Sequence, residues 1–188
     1  LGFCPAEPGR YGRLILAPDG TLEAIVEARD ADPEQLAVGF CNSGVIAVDG
    51  KRPFPLLAKL GKDNAAGEYY LTDIAAGARA AGFASAVIAG DRDELIGIDT
   101  RIDLAAAEAI LQRRLRGQAM LGGATLTDPG SVYFSHDTRI GKDVTIGPGV
   151  VFGPGVSVGD KAEIRPFCHI EGAAVAAGAV VGPFARLR

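Results

Sequence analysis

The stretch NAAGEYYLTD (64–73) collects chemically versatile side chains within ten residues. It offers two carboxylates, two phenols and a hydroxyl, which belong to Glu68, Asp73, Tyr69, Tyr70 and Thr72. Such groups bind polar ligands and can take part in proton transfer. The simpler interpretation is the entrance of a helix, since Gly67 ends a turn and Glu68 suits the positive end of a helix dipole.

Four further residues stand beside short apolar runs, namely Gly12 in RYGRL, Glu27 in AIVEA, Asn42 in CNSG and Asp99 in GIDT. Glycine lets a ligand approach the backbone closely, and aspartate is a hard oxygen ligand for a divalent cation. Each position also has a purely structural interpretation. These are a turn for Gly12 and Asn42, a solvent-facing strand position for Glu27 and a helix-cap region for Asp99. Residue type alone favours the structural interpretations.

The elements that must position these residues alternate in type over residues 1–101. Short runs rich in Val and Ile predict strands at RLILA (13–17), EAIVEA (23–28), SGVIAV (43–48) and SAVIAG (85–90). An apolar stripe predicts a helix over 68–81, with Gly82 as its C-cap. Strands that alternate with helices predict a layered α/β domain.

A second helix is predicted over 103–121, where Leu104, Ala107, Leu111 and Leu115 fall on one stripe. Thr100 or Asp103 is its expected cap. The Gly122–Gly123 pair ends it. Before this helix the sequence predicts alternating strands and helices, and after it apolar residues recur with a different, regular spacing. We therefore expect residues 102–122 to form a linker helix between two domains.

From residue 123 to residue 188 apolar side chains recur every six positions. The series comprises Ile140, Ile146, Phe152, Val158, Ile164 and Ile170, and glycine follows each of the first four, at Gly141, Gly147, Gly153 and Gly159. Period six predicts a hexapeptide-repeat coil with three short strands per turn and the apolar side chains inside. We expect the glycines to supply turn conformations that a side chain would oppose. One five-residue step after Ile170 predicts a shortened turn.

The composition narrows the class of protein. The chain has 188 residues, 48% of them apolar, so it has enough apolar side chains for a packed core. A net charge of −4 argues against nucleic acid as a partner, and no apolar run is long enough for a membrane span. The three cysteines are widely spaced, which predicts reduced thiols in the cytoplasm and neither a disulfide framework nor a zinc site.

Six phrases occur in one order: RYGRL (10–14), AIVEARDA (24–31), CNSGV (41–45), DNAAGEYYLTDI (63–74), GIDTRIDLA (97–105) and GPFARLR (182–188). Together they closely resemble the bifunctional N-acetylglucosamine-1-phosphate uridylyltransferase/glucosamine-1-phosphate N-acetyltransferase family. The resemblance implies part of a Rossmann-like α/β nucleotidyltransferase domain, a linking helix and a left-handed parallel β-helix that assembles as a homotrimer. It also implies a role in making UDP-N-acetylglucosamine, which feeds peptidoglycan and lipopolysaccharide synthesis.

The resemblance assigns roles to five residues of this sequence. Gly12 would offer its backbone amide to the sugar, Glu27 would accept hydrogen bonds from sugar hydroxyls, and Asn42 would bridge the sugar and its acetamide. Asp99 stands where the family usually has an asparagine that helps to hold Mg²⁺. The exchange either keeps an oxygen ligand and adds negative charge near the phosphates, or it weakens the metal site. Arg188 matches an arginine that contacts the uridine nucleotide in the acetyltransferase site.

The resemblance also implies what lies outside this sequence. The UTP loop, a second Mg²⁺ ligand, the acetyl-CoA site and the acetyl-transfer histidine would all be elsewhere, so the chain would be a fragment that lacks both ends and holds no catalytic residue. We therefore expect it to bind the sugar of N-acetylglucosamine 1-phosphate or UDP-N-acetylglucosamine, and to turn over neither UTP nor acetyl-CoA alone.

Two other functions are compatible with the same sequence features. Other sugar-1-phosphate nucleotidyltransferases also carry β-helical tails. A trimerising β-helix protein with a decayed pocket would have no catalytic activity at all.

Overall fold

The computed structural model describes residues 1–188 and divides the chain into two compact units, Leu1–Asp99 and Thr100–Arg188. The finer division into 1–101, 102–122 and 123–188 stays a prediction. Among the helices of the structure, none combines the length and the apolar character that a membrane crossing requires.

The first unit is a small sheet with helices beside it. Its strands are β1 (Gly2–Phe3), β2 (Arg13–Leu16), β3 (Leu22–Val26) and β4 (Cys41–Asn42), and its helices are α1 (Pro33–Leu36), α2 (Pro53–Leu57), α3 (Ile74–Ala80) and α4 (Arg92–Leu95). The strands pair antiparallel in the order β1-β4-β2-β3. Leu14, Leu22 and Ile25 of the sheet form the core with Ala75 of α3.

Two of the four predicted strands of this unit are present. RLILA and EAIVEA form β2 and β3, but SGVIAV (43–48) and SAVIAG (85–90) form no strand, and Ala89 makes only an isolated bridge to Gly2. A Val- and Ile-rich run becomes a strand only where another strand pairs with it. The sequence pattern shows only that these residues favour strand conformation. It does not show whether another strand lies beside them.

The helix predicted over 68–81 is shorter than expected. It begins as a 3₁₀ turn at Leu71–Asp73 and continues as α3. The C-cap residue is Ala81, and the predicted Gly82 follows it with a φ of +80° that favours glycine. The amide of Phe83 donates to the carbonyl of Ala78 at 2.9 Å, which completes a Schellman motif.

The second unit opens with α5 (Arg101–Leu121), close to the predicted 103–121. Thr100 and Asp103 together form a capping box at its start. The predicted apolar stripe packs against the coil only toward its C-terminal end, because Leu115 contacts the hydrophobic core whereas Leu104 is 55% exposed. The buried Gln112 also donates to the carbonyl of Phe134 at 2.7 Å and accepts from its amide at 2.9 Å. This double hydrogen bond ties α5 to the first coil.

Ten two-residue strands build the rest of the unit. They are β5 (Thr125–Leu126), β6 (Arg139–Ile140), β7 (Thr145–Ile146), β8 (Val151–Phe152), β9 (Ser157–Val158), β10 (Glu163–Ile164), β11 (His169–Ile170), β12 (Ala174–Val175), β13 (Val180–Val181) and β14 (Arg186–Leu187). They stack in three parallel sheets, the largest in the order β13-β10-β7-β5. The predicted fold class, a partial α/β region followed by a parallel β-helix, is confirmed.

The shortened turn is also confirmed by the strand register. Ile164 pairs with Ile146 below it, eighteen positions earlier, but with Val181 above it, only seventeen positions later. The apolar residues of the six-residue series point into the coil, where Ile146, Ile164 and Ile170 are at most 1% exposed. The coil interior is therefore a packed hydrophobic core.

The repeat glycines have a different purpose from the one predicted. Gly141, Gly147, Gly153 and Gly159 do not adopt positive φ. Instead the next coil passes so close that a Cβ on Gly159 would lie 2.6 Å from the amide nitrogen of Ala177. The left-handed turn positions come two residues later, and Asp143, Lys161, Phe167 and Phe184 occupy several of them with φ near +60°.

Candidate functional site

Gly12, Glu27 and Asn42 lie in one row across the sheet of the first unit. Arg13 pairs with Val26 on one side and with Cys41 on the other, so the next position of the register places Gly12 between Glu27 and Asn42. The amide of Asn42 donates to the carbonyl of Gly12 at 2.8 Å. The structure thus brings together three residues that stand up to thirty positions apart in the sequence. We call this row the polar row.

The glycine leaves an open gap in the polar row. A Cβ on Gly12 would lie 3.3 Å from the side chain of Ile25 and 3.5 Å from both carboxylate oxygens of Glu27. Any larger side chain would fill the space in front of the Glu27 carboxylate. Glycine at this position therefore keeps that carboxylate accessible to a ligand.

Thr72, from the stretch 64–73, completes the polar row. Its hydroxyl donates a hydrogen bond of 2.9 Å to Glu27 Oε1, and the residue is 8% exposed. The sequence predicts that Thr72 belongs to a helix start, and it does lie in the 3₁₀ turn before α3, but no side-chain cap forms at either helical segment there. Its contact with Glu27 joins residues forty-five positions apart, which no local pattern shows.

Asn42 is buried, at 8% exposed, and its side-chain oxygen accepts from the amide of Gly44 at 3.2 Å. CNSG therefore forms the predicted turn, and Gly44 within it has a φ of +82°, which favours glycine. The turn also fixes the side chain next to Gly12, so the structural and the binding interpretations are compatible.

Arg13 is a residue of this site that the sequence analysis did not single out. It is 3% exposed, and its guanidinium donates to the carbonyls of Pro8, Gly9 and Tyr11 in its own loop and to that of Leu36 on α1. A buried guanidinium needs such partners because an unpaired buried charge is costly. Arg13 thereby fixes the loop that carries Gly12.

Asp99 lies beside the same loop. Its carboxylate pairs with the guanidinium of Arg10 at 3.2 Å. The chain segment before Asp99 is fixed separately, because the amide of Gly97 donates to the hydroxyl of Tyr11 at 3.0 Å. The segment that carries Asp99 is therefore joined to the loop that carries Gly12 through the side chains of Arg10 and Tyr11.

The donor set around Asp99 suits only part of a metal site. No cluster of three or more His, Cys, Asp or Glu residues occurs in the structure. Mg²⁺ is commonly held by one or two carboxylates together with phosphate oxygens and water. Asp99 fits one such ligand position, and the phosphates of a bound substrate would have to supply others.

The stretch 64–73 orders a loop next to the polar row. The side chain of Asn64 donates to the carbonyl of Glu68 at 2.6 Å and accepts from its amide at 3.2 Å. The amide of Ala65 donates to Asp30 at 2.6 Å. Asp73 is exposed, but partial desolvation of its carboxyl, together with the nearby charge of Asp30, raises its pKa above the usual value.

The main cavity of the first unit is not the candidate site. It measures about 240 Å³ and is lined mostly by apolar side chains such as Leu14, Ile25 and Ile74. Asn42 alone of the polar row lines it. Asp49, Arg52 and Ser85 also line this cavity, but Gly12, Glu27 and Thr72 do not. We therefore take the open end of the polar row, where these three residues meet Asn42, as the candidate site.

Arg188 in the second unit belongs to a small ion cluster on the outside of the coil. Its Nε lies 2.9 Å from Glu171 Oε1, and the other carboxylate oxygen of Glu171 lies 3.6 Å from His169. Arg188 and Glu171 occupy equivalent positions on adjacent coils, since Ile170 pairs with Leu187. Glu171 therefore orients a guanidinium whose side chain is 63% exposed.

Comparison with known proteins gives two findings. The family model "Bacterial transferase hexapeptide (six repeats)" matches residues 137–172. The chain is 64% identical over 179 residues to the Bifunctional protein GlmU of Rhodospirillum rubrum, an alignment that covers 95% of this chain and 40% of the relative. It is 56% identical over all 188 residues to the Bifunctional protein GlmU of Paramagnetospirillum magneticum and to that of Paracoccus denitrificans, in each case over 42% of the relative.

These matches confirm the resemblance drawn from the six phrases. The chain spans about 40% of the length of the curated relatives that it matches. The similarity extends over both units, while the repeat family covers only the coil.

Proposed function

We propose that this chain, which is homologous along its whole length to a segment of the bifunctional GlmU proteins, serves a transferase that makes UDP-N-acetylglucosamine. In this proposal the first unit holds the sugar during uridylyl transfer from UTP, and the second unit begins the acetyltransferase β-helix. The polar row, with Thr72 bonded to Glu27, is the observation that carries the proposal.

The polar row supplies the groups that an acetylated amino sugar requires. The Glu27 carboxylate accepts hydrogen bonds from the sugar hydroxyls, the backbone of Gly12 admits the ring at close range, and the Asn42 amide meets the acetamide. Buried polar partners of this kind select against a substrate that lacks the matching group, because they would be left unpaired. Specificity for N-acetylglucosamine 1-phosphate would come from this row.

Uridylyl transfer asks little covalent chemistry of the protein. Positioning of the reactants and neutralisation of the phosphate charges dominate such reactions. Mg²⁺, when bound, supplies that neutralisation, and Asp99 would provide one of its oxygen ligands. Neither Asp73 nor Glu27 needs to act as a base, since the attacking phosphate has no hydroxyl to deprotonate.

For the second unit we propose that Arg188 contacts the uridine nucleotide in the acetyltransferase site. Its guanidinium is exposed and is oriented by Glu171, as an anion-binding arginine requires. We also propose a homotrimer. Val151 and Val180 face outward from two of the three sheets, at 38% and 55% exposed, and offer apolar surface for subunit contact.

The test is a uridylyl-transfer assay on the natural protein that carries this sequence. N-acetylglucosamine 1-phosphate should be used at least a hundredfold more efficiently than glucose 1-phosphate, since a missing acetamide leaves buried partners unpaired. Asn42→Ala should lower the efficiency with N-acetylglucosamine 1-phosphate much more than the efficiency with glucose 1-phosphate, so that the ratio between the two substrates falls.

Two results would contradict the proposal in different ways. Equal use of both sugar phosphates would indicate a nucleotidyltransferase of another specificity. No turnover and no calorimetric binding of UDP-N-acetylglucosamine, with a trimeric mass retained, would indicate a β-helix protein without catalytic activity.

A further inference from the structure

Four consecutive residues of the RYGR loop make four different contacts. Arg10 pairs with Asp99, Tyr11 accepts from the amide of Gly97, and Gly12 accepts from the amide of Asn42. Arg13 binds carbonyls of the loop itself. Three of these contacts have a positioning role already described, but the contact of Arg10 has none.

Arg10 is not needed to position Asp99. The segment before Asp99 is fixed by Tyr11, whose hydroxyl accepts from Gly97 and whose ring packs edge-on against the buried Phe3 at 5.0 Å between centroids. The Arg10 and Asp99 side chains are 78% and 73% exposed. An ion pair this exposed adds little to stability and opens readily. The effect of the Arg10–Asp99 pair is therefore to neutralise the Asp99 carboxylate and not to stabilise the fold.

The charge at Asp99 raises a physical problem that Arg10 can solve. A carboxylate next to the expected position of substrate phosphates repels them, whereas a cation held between the two groups removes the repulsion. Before a cation binds, the guanidinium 3.2 Å away neutralises Asp99. After it binds, that guanidinium has lost its carboxylate and is suited to a phosphate, for which arginine has the right fork of donors.

We propose that Arg10 is a further residue of the nucleotide site, with two successive partners. It pairs with Asp99 while no cation is bound, and it turns to a substrate phosphate when a divalent cation takes the Asp99 carboxylate. The proposal rests on the uridylyl-transfer function proposed above and adds a residue to it.

The experiment measures the binding of Mn²⁺ and of UDP-N-acetylglucosamine to the natural protein and to its variants. Free Mn²⁺ is counted by electron paramagnetic resonance, first without nucleotide. Arg10→Ala should bind Mn²⁺ about threefold more tightly than the natural protein, because the competing guanidinium is gone. In an Asp99→Asn background the same change should have no effect on Mn²⁺ affinity.

The second arm uses calorimetry at saturating Mn²⁺. Arg10→Ala should weaken UDP-N-acetylglucosamine binding about tenfold, and Arg10→Lys should recover part of the loss because it keeps the charge without the fork. Arg79→Ala is the matched control, since the guanidinium of Arg79 donates to Thr21 and not to Asp99. It should change neither affinity.

The outcomes separate this inference from the proposed function. If the natural protein binds UDP-N-acetylglucosamine but Arg10→Ala changes neither the Mn²⁺ nor the nucleotide affinity, the role of Arg10 is wrong and the site proposal stands. If only one of the two affinities changes, the exchange of partners is wrong. If the natural protein binds no UDP-N-acetylglucosamine, the proposed function fails and this inference fails with it.

Discussion

The hydroxyl of Thr72 donates a hydrogen bond of 2.9 Å to the carboxylate of Glu27, across forty-five positions of sequence. This bond connects the 3₁₀ turn before α3 with the end of β3. It fixes one carboxylate oxygen and leaves the other for a ligand. Thr72 is therefore a positioning residue for Glu27 in the proposed sugar site.

The first prediction concerns this hydrogen bond. Thr72→Val keeps the shape of the side chain and removes the donor, so we expect UDP-N-acetylglucosamine to bind roughly fivefold more weakly, which corresponds to about 1 kcal/mol. Titration calorimetry on the natural protein and the variant measures the difference. Thr72→Ser, which keeps the hydroxyl, should bind more tightly than Thr72→Val, and equal losses in both variants would argue for a packing role only.

The second prediction concerns the close approach of the coils. Gly159→Ala would place a methyl group 2.6 Å from the backbone nitrogen of Ala177, where no flexible side chain can move away. We expect a destabilisation of about 1–3 kcal/mol in chemical denaturation. Gly117→Ala in α5 is the matched control, because nothing lies within 4 Å of its Cβ, and it should stabilise the chain by about 0.5–1 kcal/mol. A harmless Gly159→Ala would refute the steric explanation of the repeat glycines.

The third prediction concerns the pH dependence of stability. Partial desolvation of the carboxyl and the charge of Asp30 raise the pKa of Asp73 in the folded state. The folded state therefore binds more protons than the unfolded state between the two pKa values, and this contribution to stability falls as pH rises through that window. Asp73→Asn should raise the melting temperature at pH 7. The gain should disappear below about pH 3.9, the ordinary aspartate value. If Asp73→Asn raised the melting temperature equally at pH 7 and below about pH 3.9, the ionisation of Asp73 would not be the cause of the gain.

The fourth prediction concerns thiol reactivity. Burial raises the pKa of the Cys41 thiol despite the nearby Arg13, and Cys168 is also buried, whereas Cys4 is exposed. Because the thiolate is the reactive form, iodoacetamide should label Cys4 first, and Cys41 and Cys168 only on unfolding. Mass spectrometry of digested samples after timed labelling gives the order. Early labelling of Cys41 in the folded protein would contradict its buried position in β4.

The β-helix could be predicted from the sequence almost completely, and the first unit only in part. In a repeat coil each strand pairs with the strand about eighteen residues away, so the period of Ile140, Ile146 and Phe152 already contains the pairing. In the first unit the pairing of β4 with β2 joins distant segments of chain. The runs at 43–48 and 85–90 have strand composition without a partner strand, which composition cannot reveal.

The same distinction holds for the candidate site. Gly12, Glu27 and Asn42 were predicted through the resemblance to a known family, and the structure adds that they share one row. Thr72 and Arg10 were not predicted, because their contacts with Glu27 and Asp99 span forty-five and eighty-nine positions. Arg13 is an arginine buried in its own loop, and only the four carbonyls around it explain that burial.

The most direct measurement is a crystal structure of the natural protein with UDP-N-acetylglucosamine bound. We predict that the sugar lies at the open end of the polar row, with its hydroxyls within hydrogen-bond distance of the Glu27 carboxylate and its acetamide against Asn42. A sugar bound away from Gly12, Glu27 and Asn42 would contradict the account.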